Sequence, residues 1–523
     1  MKKTTTLLAL LLLSFITTQA QVSGILWQKT IGGNSSDWLS TSIETDDGGF
    51  LLGGASESDI SGEKSENSRG GNDYWIVKLD TTGEILWQKT YGGSEDDFLT
   101  SIVQTTDGGY LIGGGSNSGI SGDKTEASRG EQDYWVLKLD ANGDIQWQKT
   151  YGGNRRDEIV STVETDDGGY LVVGSSSSAE SGDRTVSRNG LPDAWVLKLD
   201  SIGAIVWQKS YGSTDYNFAC NVKDLAKTND GGFILSSDLL IFQSFNNPFW
   251  ILKIDASGNQ VWDKTIRGNN ADLNPKINLT SDGGYIVAGT SDSDAFEDKS
   301  ENAIGAYDYW VLKLDETGNI VWQNTIGGTL GDNASSISQS ADGGYLVSGS
   351  SNSNISGDKT ENSIGGSDYW FLKLNSLGII EWQNTIGGEA GEGGGASIQT
   401  SDGNFLTAGR SNSNISGDKT ENSRGGYDYW IVKHKQPLIG IAENTFANTI
   451  SLYPNPVQNL LQINTNDQTI NQVNIFSMLG SRVMKLDMET ISPTVDVSSL
   501  ASGVYFVQLY SGENVALEKF VKE

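Results

Sequence analysis

The chain runs to 523 residues, with 66 acidic against 36 basic side chains and a formal net charge of −30. A surface of that sign repels nucleic acid and anionic lipid and favours solubility, so nucleic-acid binding is excluded as a function. Gly is abundant at 65 and Pro scarce at 7, and the single cysteine, Cys220, can form no intramolecular disulfide, so stability must come from packing.

The N-terminus carries Lys2 and Lys3, an apolar stretch from Leu7 to Ile16, and a polar run that ends on the small residue Ala20. This predicts a secretory signal peptide over residues 1–20. The alternative, a membrane anchor, needs an apolar run of ~20 residues, about twice what is present. No later run approaches that length, so the mature protein is expected to have no membrane-spanning segment.

Over residues 21–437 a repeat of about sixty residues dominates. Trp in a Trp-Gln-Lys-Thr-like context falls at Trp27, Trp87, Trp147, Trp207, Trp262, Trp322 and Trp382, and a second series, mostly Asp-Tyr-Trp, at Trp75, Trp135, Trp195, Trp250, Trp310, Trp370 and Trp430. Each repeat reads as four short strands. An Asp-Gly pair, from Asp47-Gly48 to Asp402-Gly403, tolerates the positive φ of a tight hairpin turn between the first two. Gly83, Gly143, Gly203, Gly258, Gly318 and Gly378 mark a second tight turn between the last two. Such a meander is apolar on both faces and needs a neighbour on each side, as a solenoid or a closed ring supplies. The chain ends decide: the array begins with a lone fourth strand (Ile25 to Thr30) and finishes on a lone third strand (Tyr429 to Lys433). Pairing the two completes a seventh blade and removes two exposed edges. The predicted fold is all-β, a seven-bladed β-propeller closed by pairing of N- and C-terminal strands. The fourteen repeat Trp residues read as core, with a sugar-binding cage as the competing reading. Trp38 lies outside both series and is the better sugar-stacking candidate.

Ten residues after each fourth-strand Trp lie Asp37, Asp97, Asp157, Asn217, Asp272, Asp332 and Glu392. They precede the channel-lining strand, so two readings stand: each caps its own loop, or together they ring a channel mouth and hold a cation such as Ca2+. The capping reading is favoured. A further Asp series (Asp73, Asp133, Asp193, Asp308, Asp368, Asp428) reads as a loop anchor, with the Lys three after each third-strand Trp, Lys78 through Lys433, as its snorkelling or paired counterpart. No other cofactor is expected. His434 is the only histidine and Cys220 the only thiol, which leaves no His-based metal triad or His-activated nucleophile; only paired carboxylates could carry an enzyme. A non-catalytic binding or adhesion module for a glycan or protein ligand is therefore expected, most simply as a monomer, with a carboxylate-dependent hydrolase acting on polysaccharide as the alternative. Both tight turns share one rim, so the long loops share the other. The ligand contacts expected there are Trp38 with Asp358, Lys359 and Glu361 of a second-to-third-strand loop.

Residues 438–449 show neither repeat motif nor strand alternation and read as a linker. Residues 450–523 alternate apolar and polar positions between turns, as a small β-sandwich of Ig-like kind does. They carry Tyr453-Pro454-Asn455-Pro456, then Leu500-Ala501-Ser502-Gly503-Val504-Tyr505-Phe506-Val507, and close on Glu518-Lys519-Phe520-Val521-Lys522. These motifs, in this order at the extreme C-terminus, closely resemble the C-terminal sorting domain of type IX secretion substrates. The resemblance implies the type IX secretion machinery as partner, passage across the outer membrane to the cell surface or beyond, and a Bacteroidota-type host. The sorting motif would be carried by Tyr453, Pro454, Asn455, Pro456, Gly503, Tyr505, Lys519 and Lys522. The repeats resemble, less specifically, propeller arrays found in many such substrates, and that resemblance names no activity.

Overall fold

The computed structural model describes residues 24–212, 218–241, 246–435, 450–465, 467–478, 482–512 and 514–523. The expected signal peptide, Asn217 and the linker at 438–449 lie outside them. Seven four-stranded antiparallel sheets account for the strands between Ile25 and His434. In the first blade the strands Asp37–Glu44, Phe50–Ser56, Asp73–Leu79 and Ile85–Tyr91 pair in chain order. The first turn shows why: Gly48 adopts φ +76°, its N–H donates to the Thr45 carbonyl at 2.8 Å, and the Asp47 carboxylate accepts from the Gly49 N–H at 2.9 Å.

Five more blades repeat this plan, with inner strands beginning at Asp97, Asp157, Phe218, Asp272 and Asp332. The seventh combines Glu392–Gln399, Phe405–Ser411 and Asp428–His434 with the N-terminal strand Ile25–Ile31, in the register Trp27↔Lys433 and Thr30↔Trp430. The molecule is thus a seven-bladed propeller whose two chain ends share a sheet. Ring closure uses bonds that recur at other seams. The Tyr429 hydroxyl donates to the Trp75 carbonyl of blade one at 3.2 Å, as Tyr74 does to Trp135 at 3.1 Å, and the Ser401 N–H reaches the Glu44 carboxylate at 2.8 Å.

The core lies between blades. Third strands are wholly buried, and Trp75, Trp135, Trp195, Trp310, Trp370 and Trp430 are fully enclosed. Rings from adjacent blades meet across each such seam, Tyr74 against Trp135 at 4.9 Å for instance. The fourth-strand series differs from the core expectation: Trp27, Trp87, Trp147, Trp207 and Trp262 are only half-buried, because the fourth strand is the outer edge of each blade, whereas Trp322 and Trp382 are buried. The lysine after the third-strand Trp also has another partner. Lys78 bonds Asp47 of the tight turn at 3.0 Å, not Asp73, because five strand residues put Asp73 and Lys78 on opposite faces and ~17 Å apart.

After Ile450 a second unit forms from two facing sheets. Ser451–Tyr453, Leu460–Asn464 and Thr494–Asp496 make one; Arg482–Ile491, Thr469–Ser477, Gly503–Ser511 and Asn514–Lys522 make the other. Val457, Leu461, Ile463, Val473, Ile475, Val507 and Phe520 fill the space between them. Among the described residues no helix is long and apolar enough to cross a membrane.

Candidate functional site

Six of the seven inner strands open on one of the acids expected at the channel mouth, and all six acids are enclosed. Asp37, Asp97, Asp157, Asp272 and Asp332 are fully buried and Glu392 nearly so. All accept the N–H of the glycine four residues earlier, from Gly33 to Asp37 at 2.6 Å through Gly388 to Glu392 at 3.0 Å. They also accept serine hydroxyls from the end of the second strand and just beyond it: Ser118 donates to Asp97 at 3.0 Å, Ser291 to Asp272 at 2.6 Å and Ser353 to Asp332 at 3.0 Å. Burial pushes the carboxyl of Asp97 up to about 6, against the lowering effect of these bonds. The six carboxylates therefore serve their own loops. They do not converge, and among the described residues no three His, Cys, Asp or Glu side chains come together as a metal site.

The second Asp series anchors the preceding loop, as with Asp73, which accepts the Arg69 N–H and the Ser68 hydroxyl at 2.6 Å each. Sequence reasoning missed the cation that neutralises these acids. Lys64, Lys124, Lys299, Lys359 and Lys419 are buried, and each ammonium lies over the third-strand Trp of its own blade, 5.0 Å from the ring centre for Lys64. Blade three uses Arg184, paired with Asp193 at 2.7 Å with both side chains fully enclosed. A signal existed: a basic residue stands at this point of six repeats, against one Trp series.

This changes the expectation for the long loop. Lys359 lies over Trp370 at 5.2 Å and donates to Ser351 at 2.9 Å, so its ammonium is engaged within the blade. Glu361 accepts the Thr385 N–H at 2.5 Å, and Asp358 accepts the Gly327 N–H at 3.3 Å. The three bond different partners, and all three also line one cavity with Asn471, Gln508 and Tyr510 of the second unit.

Trp38 stands differently. It follows the buried Asp37 on the inner strand of blade one and is half-buried, its ring 5.1 Å from Tyr427 of blade seven. The Arg410 guanidinium lies 4.5 Å over it and 5.4 Å from the Tyr427 ring. Phe98, at the same register position on the next blade's inner strand, is exposed. Asp358, Lys359 and Glu361 belong to blade six, so the structure does not bring them to Trp38.

His434 and Cys220 are structural. His434 is enclosed between Phe371 and Phe405, bonds Thr407 at 3.1 Å, and is held down to about 4 by burial. Cys220 is buried among apolar side chains, and burial pushes its thiol up to about 12.

The terminal motifs close the second unit. Asn455 donates to the Lys519 carbonyl at 3.1 Å and accepts the Val521 N–H at 2.9 Å, which ties the Tyr453-Pro454-Asn455-Pro456 segment to the last strand. Tyr505, two residues after Gly503 opens its strand, stacks on Phe520 at 5.6 Å and donates to the Ala501 carbonyl at 2.9 Å. Lys522 is buried, while Tyr453 and Lys519 are exposed. Residues 451–523 match the family model described as the secretion system C-terminal sorting domain. They form a type IX sorting domain. The sorting domain assigns the chain to export across the outer membrane, to the cell surface or the extracellular space.

Elsewhere likeness is thin. The regulatory protein FlaEY of Caulobacter vibrioides is 23% identical over 190 residues, which span 34% of this chain and 20% of that protein, so the chain matches about a fifth of its length. A protein of unknown function from Dyadobacter fermentans aligns over 79% of this chain and 99% of its own at 12% identity and a TM-score of 0.40. An ulvan lyase aligns over 79% and 96% at 10% identity and a TM-score of 0.46. An α-L-arabinanase of Penicillium chrysogenum aligns over 79% and 98% at 11% identity and a TM-score of 0.40.

Proposed function

We propose that the propeller is an extracellular, non-catalytic binding module for glycans, delivered by its sorting domain, with residues 1–20 as signal peptide and 438–449 as linker. The observation that carries this reading is the aromatic cluster at the seam of blades seven and one. Trp38 and Tyr427 lie 5.1 Å apart under the Arg410 guanidinium, beside the exposed Phe98. Sugar rings stack their C–H faces on such aromatics, and an adjacent guanidinium offers fixed donors to hydroxyl or carboxylate groups. The paired carboxylates a hydrolase would need, such as Asp308 and Asp332, are enclosed and engaged by loop N–H groups. The test is a glycan array probed with the full chain and read for retention and for product. Trp38→Ala should lower retention ~fivefold or more with the melting temperature unchanged, since stacking contributes on the order of 1 kcal/mol or more per ring. Product release, or retention indifferent to Trp38, would replace this reading with the hydrolase or with another face.

A further inference from the structure

The repeats of blades five and six depart from the others where the sorting domain rests. In blades one, two and seven the residue four before the third-strand Asp is arginine, and it bridges to the next blade: Arg69 to Asp123 at 2.5 Å, Arg129 to Asp183 at 2.8 Å, Arg424 to Glu63 at 2.6 Å. Arg69 and Arg424 also reach the Glu of their own loop, Glu66 at 3.4 Å and Glu421 at 3.6 Å. Blade five has Ile304 there, and its side chain lies toward Gly357 as that of Arg69 lies toward Gly122. Ile304 therefore supplies no guanidinium to Glu301 or to Asp358 of blade six. Arg482 of the sorting domain does: it stands 3.1 Å from Asp358 and 3.7 Å from Glu301. The side chains of Asp358 and Glu301 are 8% and 12% exposed, against 27% for Asp123 and 35% for Glu66.

The outer strands change in step. Lys29 and Lys89 bridge to Glu84 and Asp144 in the next blade's turn, at 2.6 and 3.0 Å. The same position holds Asn324 in blade five and Asn384 in blade six, and the turn residue facing Asn324 is Ile379, which is buried. Trp322 and Trp382 are the two fourth-strand tryptophans that are buried, and Ile379, Asp358 and Arg482 line one small cavity with Tyr510 of the sorting domain. Ile304, Asn324 and Ile379, three departures of different kinds, thus coincide on the covered area, and the first two recur one seam over, at Ile364 and Asn384.

We propose that the seam of blades five and six is a dedicated, releasable clasp for the chain's own sorting domain, in which Arg482 replaces the guanidinium that Ile304 omits. The clasp holds the export tag at a fixed place on the folded ring, and departure of the tag bares an acid pair flanked by Trp322 and Trp382. A charge network suits a releasable contact better than an apolar core does, because separation returns the nearly enclosed Asp358, Glu301 and Arg482 to water, and their hydration offsets the attraction that is lost.

The test uses the full chain, with small-angle scattering and hydrogen exchange at Ile320–Ile326 and Ile380–Ile386. Arg482→Glu should enlarge the radius of gyration and speed exchange in these strands ~tenfold or more, and adding Asp358→Arg should restore both. Ile304→Arg, which rebuilds the ring's own bridge, should release the domain in the same way. Ile364→Arg, with the same charge one seam over, should leave it in place. The melting temperature of the ring, unchanged in each variant, separates release from misfolding. Unchanged scattering and exchange in both Arg482→Glu and Ile304→Arg, or equal release by Ile364→Arg, would overturn the clasp.

Discussion

Aspartate appears in this ring in two environments with opposite consequences. In the tight turn, partial burial works to raise the carboxyl of Asp107, but bonds from Lys138, Thr105 and the Gly109 N–H outweigh it and hold the group at about 2. At the start of the third strand burial dominates, and Asp133 is pushed up to about 6. The ammonium ions that face the buried series are themselves lowered by burial, Lys359 to about 8, with Asp332 and Asp368 working against that shift. Removing such a cation leaves two enclosed acids without their partner and a Trp face without its charge. Lys359→Ala should therefore lower unfolding stability by ~2–3 kcal/mol while leaving ligand retention unchanged. Urea denaturation beside an array measurement checks this, and lost retention at unaltered stability would return Lys359 to a ligand-contacting role.

Blade count and strand order were legible because the repeat is strict and the chain ends are complementary: a lone fourth strand and a lone third strand have one economical partner, each other. The turns were legible because Asp-Gly states its own backbone conformation. What a single period does not give is which copy a side chain meets. The repeat alone therefore pairs Lys78 with Asp73 and not Asp47, puts Lys359 on a loop rather than over Trp370, and does not tell the two tryptophan series apart by depth. The role of Arg482 was hidden for the same reason, since it depends on Ile304 in another domain. Gly83 shows what the blade-to-blade contact adds to a turn. It adopts φ +85°, and a Cβ there would lie 2.9 Å from the Trp27 ring of the neighbouring blade, whereas at Gly108 (φ +81°) a Cβ would meet nothing within 4 Å. Gly108→Ala should cost ~1 kcal/mol from backbone strain alone, and Gly83→Ala at least ~1 kcal/mol more as the indole is displaced. Paired thermal melts measure the difference; equal losses would mean that Trp27 yields freely.

At the scale of the whole ring, the buried charges set how stability varies with pH. Asp97, Asp133, Asp308 and Asp428 are raised to about 6, chiefly by burial, from the ordinary aspartate value near 3.8. Between pH ~4 and ~6 the folded chain thus holds protons that the unfolded chain has released, so stability falls as pH rises through that window. The turn acids act in the opposite sense: Asp47, Asp107, Asp230 and Asp342 are held at about 2, and their contribution is lost as pH drops from ~4 through ~2. His434, lowered to about 4, binds protons more readily when unfolded and favours higher pH between ~4 and ~6.5, but it is one group against four. The lysines Lys64, Lys124, Lys299, Lys359 and Lys419, lowered to about 8, change the balance only above that pH, where stability recovers as the unfolded chain goes on holding protons toward ~10. The expected profile of melting temperature peaks near pH ~4, declines between pH ~4 and ~6, levels off toward pH ~8, and drops below pH ~4. Calorimetry at constant ionic strength from pH 3 to 9 measures it, and a melting temperature that climbs from pH 5 to 7 would show that the enclosed carboxylates ionise in the folded ring as readily as in water.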